Sequence, residues 1–386
     1  MTYLTISITL LTSFYCFILF KLIHGLLKLK KGTNQREYVV SIIVAARNEE
    51  QNIKSCVTAL ISQNYPLEKL EIIVVDDRST DETAKIVQKF TEAYPNVILL
   101  QVKQTPSGMA PKKYALDFGI NQATGEIILI TDADCIPQPD WVKFMLSYFK
   151  PDVGLVAGFS PLDRAEKPSV LSRLIRLDSL ALASVAAGSF GAGFPLTCNA
   201  RNLAYRRSVY QQIGGFKEIG HLISGDDDLF LHLVQKKTDW QVRYAIDSEV
   251  IVSSIVPSNF NDFFHQRVRH ASKGRHYAVG LKLGLIAVYL FNISLLLLLL
   301  LSIWNTQFLL LFGGSFVLKT LFEFILLKKS ATIFNRHSYL KYFPLAALFH
   351  IPYVTIFGLW GQIGKFTWKG SLFQAELKPT IKKQGT

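Results

Sequence analysis

Residues 72–77 read Ile-Ile-Val-Val-Asp-Asp and residues 127–134 read Ile-Ile-Leu-Ile-Thr-Asp-Ala-Asp, and these two stretches decide the fold. Each is a short apolar run of the kind that forms a buried strand, and each ends in a pair of aspartates. In an open α/β sheet the carboxyl ends of the strands face the ligand crevice. The two acidic pairs therefore predict a pocket for a divalent metal and a polar, phosphorylated ligand.

Strand-like and helix-like segments alternate around these two stretches. The strand-like runs are Val39–Ala45, Leu70–Val75, Val97–Val102, Glu126–Ile130 and Val153–Phe159. This alternation predicts an α/β domain with a mostly parallel central sheet that is covered by helices on both faces. Asn48 with Gln51, and Ser79 with Glu82, have the spacing of capped helix starts. The sequence has no glycine-rich phosphate loop after the first run, which argues against a dinucleotide or P-loop protein.

The composition indicates a membrane protein. Hydrophobic residues make up 49% of the 386 residues, and charged residues only 18%. The apolar excess lies in the first 30 residues and the last 110, whereas the middle resembles an ordinary globular domain. The net charge is +13, but many basic residues flank the apolar ends, as expected beside an anionic cytoplasmic leaflet. They form no stripe with interleaved aromatic residues, so no nucleic-acid partner is predicted.

Apolar segments at both ends of the chain predict membrane helices. Thr2–Phe20 is a retained transmembrane helix rather than a cleaved signal, and the basic cluster after it directs the next domain to the cytoplasm. Leu283–Ile303 and Phe308–Leu327 form a helical hairpin. Pro344–Ile363 is a weaker third segment, and whether it spans, re-enters or lies at the interface stays open. The four scattered cysteines show neither a disulfide framework nor metal-ligand spacing.

Two features within or beside the apolar segments leave alternatives open. Lys319 and Glu323 are four residues apart inside a predicted span, so they share a helix face. We expect them to pair or to face protein, with a contact to a lipid head group as the alternative. Residues 179–194 carry no charge, which is compatible with either a buried or an interfacial helix.

Three further clusters carry chemistry. Lys112 and Lys113 stand beside a helix N-terminus, where a cation is unfavourable, so they indicate either an anionic partner or a solvated turn. The carboxylates of Asp226–Asp228 are adjacent, which raises at least one pKa and suits a general base. Basic residues within Phe263–His270 precede the membrane hairpin and could contact a departing diphosphate or lipid phosphates.

Taken in order, these features resemble family 2 glycosyltransferases, the membrane-bound, inverting type with a GT-A fold. The resemblance runs from about Val39 to His276. Its matching stretches are Val44–Glu50, Val75–Asp81, Lys112–Leu116, Thr131–Asp134 and Asn202–Arg207, followed by the two clusters around residues 226–229 and 263–270.

The resemblance implies roles by position. Asp132 and Asp134 would hold Mg²⁺ or Mn²⁺ on the diphosphate of a nucleotide sugar, and the metal would act as a Lewis acid on the leaving group. Family habit favours a UDP-sugar, with a GDP donor as the alternative. Either Asp226 or Asp227 would take the proton from the acceptor hydroxyl. Donor-binding residues would be Ala45, Arg47, Glu49, Asp77, Lys112, Lys113, Asp132, Gln266, Arg267 and Arg269.

Two departures from the family pattern affect these roles. Gly225 falls where the family has Glu if Asp226 is the base, whereas a shift of one residue makes Asp227 the base. We favour Asp226 because Asp228 then keeps its register. His270 replaces the tryptophan of the family's Gln-x-x-Arg-Trp, which favours single transfer to a lipid or lipid-linked acceptor over processive synthesis.

The predicted organisation has five parts: a transmembrane helix at 1–30, a cytoplasmic GT-A domain at 38–255, an interfacial helix with the Gln-Arg-x-Arg motif at 256–280, transmembrane helices at 281–364, and a basic tail at 365–386. We expect an inverting glycosyltransferase at the cytoplasmic face of the inner (plasma) membrane. The alternative is a non-catalytic relative that binds a nucleotide sugar or scaffolds an envelope glycan complex, and the retained carboxylates argue against it.

Overall fold

The structure is a computed structural model that describes residues 2–165, 167–368 and 371–374. Its helices are α1 (Thr2–Lys28), α2 (Ile53–Ile61), α3 (Thr83–Ala93), α4 (Pro111–Gln122), α5 (Trp141–Leu146), α6 (Val170–Gly191), α7 (Arg207–Gln212), α8 (Asp228–Lys237), α9 (Phe260–Ser272), α10 (Val279–Leu301), α11 (Thr306–Ile333) and α12 (Phe343–Ile363). Most of the predicted basic tail, from residue 375 onward, lies outside the described residues.

The strands are β1 (Val40–Ala46), β2 (Leu70–Asp76), β3 (Val97–Gln101), β4 (Ile127–Asp132), β5 (Ile136–Pro137), β6 (Val153–Gly158), β7 (Leu162–Arg164), β8 (Leu203–Arg206), β9 (Gln241–Ala245), β10 (Val252–Ile255), β11 (Lys365–Trp368) and β12 (Ser371–Gln374). The five strand-like runs of the sequence correspond to β1, β2, β3, β4 and β6. Each observed strand lies within one or two residues of its predicted bounds.

The central sheet has the order β3-β2-β1-β4-β8-β6-β9 in the described part of the chain. Strands β3, β2, β1 and β4 are mutually parallel, and β8 is antiparallel to both of its neighbours. The predicted mostly parallel α/β sheet is therefore confirmed. Register aligns Ala45 of β1 with Val75 on one side and with Asp132 on the other. The acidic ends of β2 and β4 consequently lie at the same edge of the sheet.

The central strands are apolar on both faces because helices cover both faces. Ile43 contributes to the core on one side, together with Leu116 of α4. Its neighbour Ile42 contributes to the opposite core, together with Val57 of α2. Gly119 of α4 lets that helix approach closely, since an added Cβ would lie 2.8 Å from a methyl group of Val75. This packing fixes where the loops after β1, β2 and β4 emerge.

The helix starts predicted from capping spacing are wrong. α2 begins at Ile53 and α3 at Thr83, several residues after the predicted caps. Asn48 instead adopts a left-handed conformation, and its side-chain oxygen accepts the backbone N–H of Thr80 at 2.9 Å. The Ser79 hydroxyl accepts the N–H of Asn48 in return. These polar side chains tie the β1–α2 loop to the β2–α3 loop rather than capping a helix.

Four helical segments of the described chain are long and apolar enough to cross a membrane: 3–28, 279–301, 306–333 and 337–363. One lies near the N-terminus and three lie near the C-terminus, in keeping with the predicted arrangement. α1 packs closely on α6, where the carbonyl of Gly188 lies 1.9 Å from the position that a Cβ on Gly25 would occupy. The uncharged residues 179–191 therefore belong to a helix that is buried against α1.

The predicted pair inside the second hairpin helix is present. Lys319 is fully buried, and its ammonium lies 2.8 Å from a carboxylate oxygen of Glu323. His350 of α12 lies 3.0 Å from the same carboxylate, and Tyr15 of α1 donates its hydroxyl proton to it at 2.5 Å. This cluster ties α1, α11 and α12 together, because a buried charge needs polar partners inside an apolar bundle.

Candidate active site

A cleft of about 530 Å³ opens at the carboxyl ends of β1, β2 and β4. It extends from the β1–α2 loop to helices α6, α9 and α10. Of the residues that the resemblance assigns to the site, only Lys113 is absent from the cleft lining. The lining includes Ala45, Arg47, Glu49, Asp77, Lys112, Asp132, Asp134, Asp226, Asp227, Gln266, Arg267 and Arg269.

Asp132 ends the central strand β4, Asp134 follows two residues later, and both line the cleft. Asp134 accepts a hydrogen bond from the Ser254 hydroxyl at 3.4 Å. Burial raises the pKa of Asp134, and the negative charge of Asp132 raises it further. A divalent cation would relieve this repulsion, and oxygen donors suit Mg²⁺ or Mn²⁺. The described residues contain no cluster of three or more potential protein ligands, so phosphate oxygens and water would complete the coordination.

Lys112 connects the two acidic groups of the cleft. Its ammonium lies 2.8 Å from Asp132 and 2.9 Å from Asp226. Burial would lower the pKa of Lys112, but the two carboxylates outweigh burial and raise it, so the side chain is a fixed cation. Residues from β4 and from the start of α8, about 90 positions apart in sequence, are thus brought to one point.

The Lys113 side chain contacts backbone carbonyls of a neighbouring segment and does not line the cleft. Its ammonium donates three hydrogen bonds, each of 2.8 Å, to the carbonyl oxygens of Ile219, Leu222 and Ser224. Burial lowers its pKa to about 8. The side chain therefore holds the segment before the acidic cluster, and the predicted donor contact of Lys113 does not appear in this arrangement.

Asp77 follows β2 and lines the cleft. Its carboxylate accepts a hydrogen bond from Arg78 at 2.8 Å and lies 3.7 Å from Arg47. The neighbouring Asp76 is buried and accepts the N–H of Ser79, which fixes the turn after β2. Asp77 is consequently the aspartate of this pair that faces the ligand space.

The acidic cluster at the start of α8 is neutralised by lysines. Asp227 caps α8 by accepting the N–H of Asp228 at 2.7 Å, and Lys273 lies 3.1 Å from it. Asp228 pairs with the same lysine at 2.8 Å and accepts the Tyr277 hydroxyl at 2.6 Å.

The expectation of a raised pKa within this cluster is wrong for Asp226 and Asp228. Burial would raise the pKa of both carboxyl groups. The charge and the hydrogen bond of Lys112 lower the pKa for Asp226, and those of Lys273 together with the Tyr277 hydroxyl lower it for Asp228. In each case these effects combined outweigh burial. Both are therefore carboxylates at neutral pH, which is the form that a proton acceptor requires.

α9 supplies the last predicted residues. Gln266 and Arg269 line the cleft, and burial lowers the pKa of the Arg269 guanidinium. Arg267 also reaches the lining, but its guanidinium forms an ion pair with Asp178 of α6. Tyr353 of α12 donates to that aspartate at 3.1 Å. Arg267 thus fixes α9 against α6 as well as facing the cleft.

Sequence reasoning missed several residues that complete the site. Arg201, in the turn before β8, lines the cleft. It directly precedes a stretch that the resemblance did include, which was the available signal. Ser254 of β10 supports Asp134, but β10 carried no recognisable motif.

Comparison with known proteins identifies the domain. A family model described as Glycosyl transferase family 2 matches residues 41–213. The chain carries a family 2 glycosyltransferase domain. A probable glycosyltransferase YdaM of Bacillus subtilis is 29% identical over 243 residues, which is 62% of this chain and 56% of that protein. The beta-monoglucosyldiacylglycerol synthase of Synechocystis sp. is 28% identical over 246 residues, which is 61% of this chain and 47% of the synthase.

The glycosyltransferase fold extends beyond the family match. The mannosyltransferase PcManGT from Pyrobaculum calidifontis, solved in complex with GDP-Man and Mn²⁺, superposes with a TM-score of 0.59 at 20% identity. The superposition covers 93% of this chain and 98% of that structure. The predicted GT-A architecture is therefore confirmed. The matches span about half the length of the two curated relatives.

Proposed function

We propose that this protein is an inverting glycosyltransferase that moves a sugar from a nucleotide-diphosphate sugar to a hydroxyl of a lipid or lipid-linked acceptor. One observation carries the proposal. Lys112 bridges the metal-type carboxylate Asp132 and the candidate base Asp226 within a single cleft. Donor phosphates and an acceptor hydroxyl would therefore meet at the same point.

The donor would bind across the edge of the sheet. Asp77 and the loop from Ala45 to Glu49 would hold the nucleoside, as family position implies. Asp132 and Asp134 would hold Mg²⁺ or Mn²⁺, which when bound supplies Lewis-acid stabilisation of the diphosphate leaving group. Lys112 adds a fixed positive charge beside the same phosphates. We propose a UDP-sugar as donor, with a GDP-sugar as the alternative.

The transfer step assigns one role to each group. The acceptor oxygen attacks the anomeric carbon from the face opposite the diphosphate. The bond from that carbon to the diphosphate oxygen breaks, and the leaving group retains the electron pair. Asp226 takes the hydroxyl proton, because it is an ionised carboxylate beside the reaction centre. Gln266 and Arg269 close the cleft over the diphosphate and limit entry of water.

The acceptor side of the cleft is apolar. Leu182 and Ala186 of α6 face it, as do Leu281 and Leu285 of α10. α10 is one of the candidate membrane helices, so a hydrocarbon chain could enter from the bilayer. A named relative that makes a glucosyl-diacylglycerol supports a lipid acceptor. Basic residues flanking the apolar segments favour the cytoplasmic face of the inner membrane.

Ligand binding and transfer test this function together. Purified protein in detergent would be mixed with UDP, GDP and their sugar conjugates, with Mn²⁺ or with EDTA, and the unfolding midpoint measured. We expect one nucleotide to raise the midpoint only with the metal, because a native-state ligand stabilises the fold. Asp134→Ala should lose this shift, whereas Asp152→Ala, in an exposed turn outside the cleft, should retain it. Absence of any shift or transfer in the unmodified protein would favour a scaffold role.

The choice of base has its own test. Asp226→Asn should keep the nucleotide–metal shift but slow transfer by roughly 10²–10⁴-fold, the usual contribution of general base catalysis. Asp227→Asn should have a smaller effect, since an amide oxygen can still cap α8. The reverse order of rates would assign the base to Asp227.

A further inference from the structure

The cations of the cleft differ in how they are neutralised. Most of them have a carboxylate partner within 4 Å, as seen for Arg47 with Asp77, Lys112 with Asp132 and Asp226, Arg267 with Asp178, and Lys273 with Asp227 and Asp228. Arg201 has no such partner among the residues that the structure describes. Arg201 does act electrostatically on Asp134, where its charge partly offsets the rise in pKa caused by burial and by Asp132. A partly buried guanidinium that is not held in a direct ion pair can still bind an anionic ligand of the cleft.

Neutral acceptors hold the Arg201 guanidinium in place. Its Nε donates to the side-chain oxygen of Asn199 at 3.2 Å, and its Nη1 donates to the Ser254 hydroxyl at 3.2 Å. Its Nη2 approaches the carbonyl of Ser160 at 3.4 Å. Ser254 in turn reaches Asp134, so the arginine and the metal carboxylate share a support without touching. The guanidinium is thus fixed in position but keeps its charge.

Other positive groups add to the field at this end of the cleft. Burial lowers the pKa of His270 well below its usual value, and the charges of Arg267, Arg269, Lys273 and Arg201 lower it further. His270 also lines the cleft, at the position where the family has an aromatic residue. A neutral imidazole surrounded by cations is the arrangement expected where an anion completes the site.

Arg201 lies towards the acceptor end rather than the nucleoside end. It precedes β8 and is supported from β10, whereas Asp77 and Arg47 follow β2 and β1 on the other side of β4. Apolar residues of α6, including Leu182 and Ala183, line the same cleft. The positive charge of Arg201 therefore shares one cleft with the metal carboxylates and with an apolar wall.

We propose that Arg201 binds a phosphate group in the head group of the acceptor, which is therefore an anionic lipid rather than a neutral one. This inference rests on the proposed function and specifies its acceptor. The hydroxyl of the head group remains the nucleophile and gives its proton to Asp226. The acceptor phosphate keeps all of its bonds and serves only to hold the head group between the apolar entrance and the donor.

Short-chain probes separate this binding from donor binding. The protein in detergent with UDP or GDP and Mn²⁺ would be titrated with two soluble lipid phosphates, dihexanoylphosphatidylglycerol and farnesyl phosphate. Dihexanoylglycerol and farnesol are the matched neutral probes. Dihexanoylphosphatidylglycerol carries the head-group hydroxyl that the transfer step requires, whereas farnesyl phosphate has none and tests binding of the phosphate alone.

The expected result is binding of at least one phosphate probe at least tenfold tighter than its neutral match. Arg201→Gln should weaken that binding at least tenfold, Arg201→Lys should weaken it less, and both should keep the nucleotide–metal shift. Arg176→Gln, whose side chain lies outside the cleft lining, is the matched control.

Three results would overturn the inference. The first is equal binding of phosphate and neutral probes by the unmodified protein. The second is unchanged phosphate binding in Arg201→Gln. The third is loss of the nucleotide shift in Arg201→Gln while phosphate binding stays intact, which would assign Arg201 to donor binding. If Arg201→Gln fails to fold, the unmodified protein and Arg201→Lys still decide. Failure of the proposed function is separate, because it removes the nucleotide shift from the unmodified protein.

Discussion

Two adjacent lysines in the first turn of α4, Lys112 and Lys113, have different tasks. Lys112 faces the cleft and bridges Asp132 and Asp226. Lys113 is fully buried and donates to three backbone carbonyls. Consecutive helical positions point about 100° apart, so one lysine can serve the site while the next serves the fold.

Substitution of each lysine should separate these tasks. Lys113→Met should lower the free energy of unfolding by about 3 kcal/mol or more, since each buried polar group left unpaired costs roughly 1–3 kcal/mol. Lys112→Met should slow sugar transfer by roughly 10²-fold, because it removes a fixed charge beside the developing diphosphate. Thermal unfolding and initial rates measure the two effects. Lys54→Met, on the exposed face of α2, is the control, and equal stability of both variants would contradict the assignment.

The two lysines also show which properties of single residues the sequence does not predict. The acidic pairs at the ends of β2 and β4 were predictable, because alternation and burial fix which end of a parallel strand faces the crevice. Lys112 and Lys113 were not distinguishable, since the direction of each side chain depends on carbonyls more than 100 positions away. Arg201 was missed for the same reason, because its partners Ser160 and Ser254 come from separate parts of the chain.

At the scale of elements, the packing of α1 on α6 couples an apolar helix to the wall of the cleft. Gly25 of α1 faces Gly188 and Gly191 of α6, and the two helix backbones meet without intervening side chains. Small residues allow such close approach between apolar helices. Since α6 also presents residues to the cleft, its position depends on this contact.

A single methyl group should disturb that packing. An alanine Cβ at position 25 would lie 1.9 Å from the carbonyl oxygen of Gly188, so a backbone must shift. Gly25→Ala should destabilise the protein by about 1–3 kcal/mol, the usual cost of overpacking. Gly313→Ala on α11 is the control, because nothing lies within 4 Å of its added Cβ. The midpoint of thermal unfolding in detergent measures both, and equal midpoints would show that α1 and α6 can separate without loss.

Elements were predictable to different degrees. β1, β2, β3, β4 and β6 were anticipated because their apolar runs are long enough to identify a strand. β8 and β9 were missed. β9 has exposed and half-exposed residues at its start, and β8 has only four residues. The predicted helix starts after β1 and β2 were wrong because the side chains of Asn48 and Ser79 each hydrogen-bond the other's loop instead of capping a helix. The sequence spacing of a capping box does not reveal such a tertiary contact.

At the scale of the whole molecule, α12 bears on the membrane topology. Its 21 residues correspond to about 30 Å of helix, close to the thickness of a bilayer core. Both of its ends nevertheless contact segments beside the globular domain. Tyr342, just before α12, accepts a hydrogen bond from Arg173 of α6 at 2.6 Å. At the other end, the carbonyl of Gln362 accepts one from Arg275, just before α10.

A spanning helix would have one end on each side of the bilayer, so these contacts indicate that both ends of α12 lie on the side of the glycosyltransferase domain. α1, α10 and α11 then cross the membrane, and β11 emerges on the same side as the glycosyltransferase domain. This arrangement also keeps Lys365 on the same side as the basic cluster that follows α1, in line with the positive-inside tendency. Single cysteines introduced into a background without the native cysteines would test it.

Lys365→Cys at the start of β11 should react with a membrane-impermeant maleimide from the side that labels Lys54→Cys in the domain. Asn305→Cys, in the link between α10 and α11, should react only from the opposite side. The comparison uses intact cells and inverted vesicles, in which the two faces exchange exposure. Labelling of Lys365→Cys together with Asn305→Cys would mean that α12 crosses the bilayer. At least one of the contacts made by Tyr342 and Gln362 would then have to break on insertion, because the two ends of a spanning helix lie on opposite sides of the bilayer.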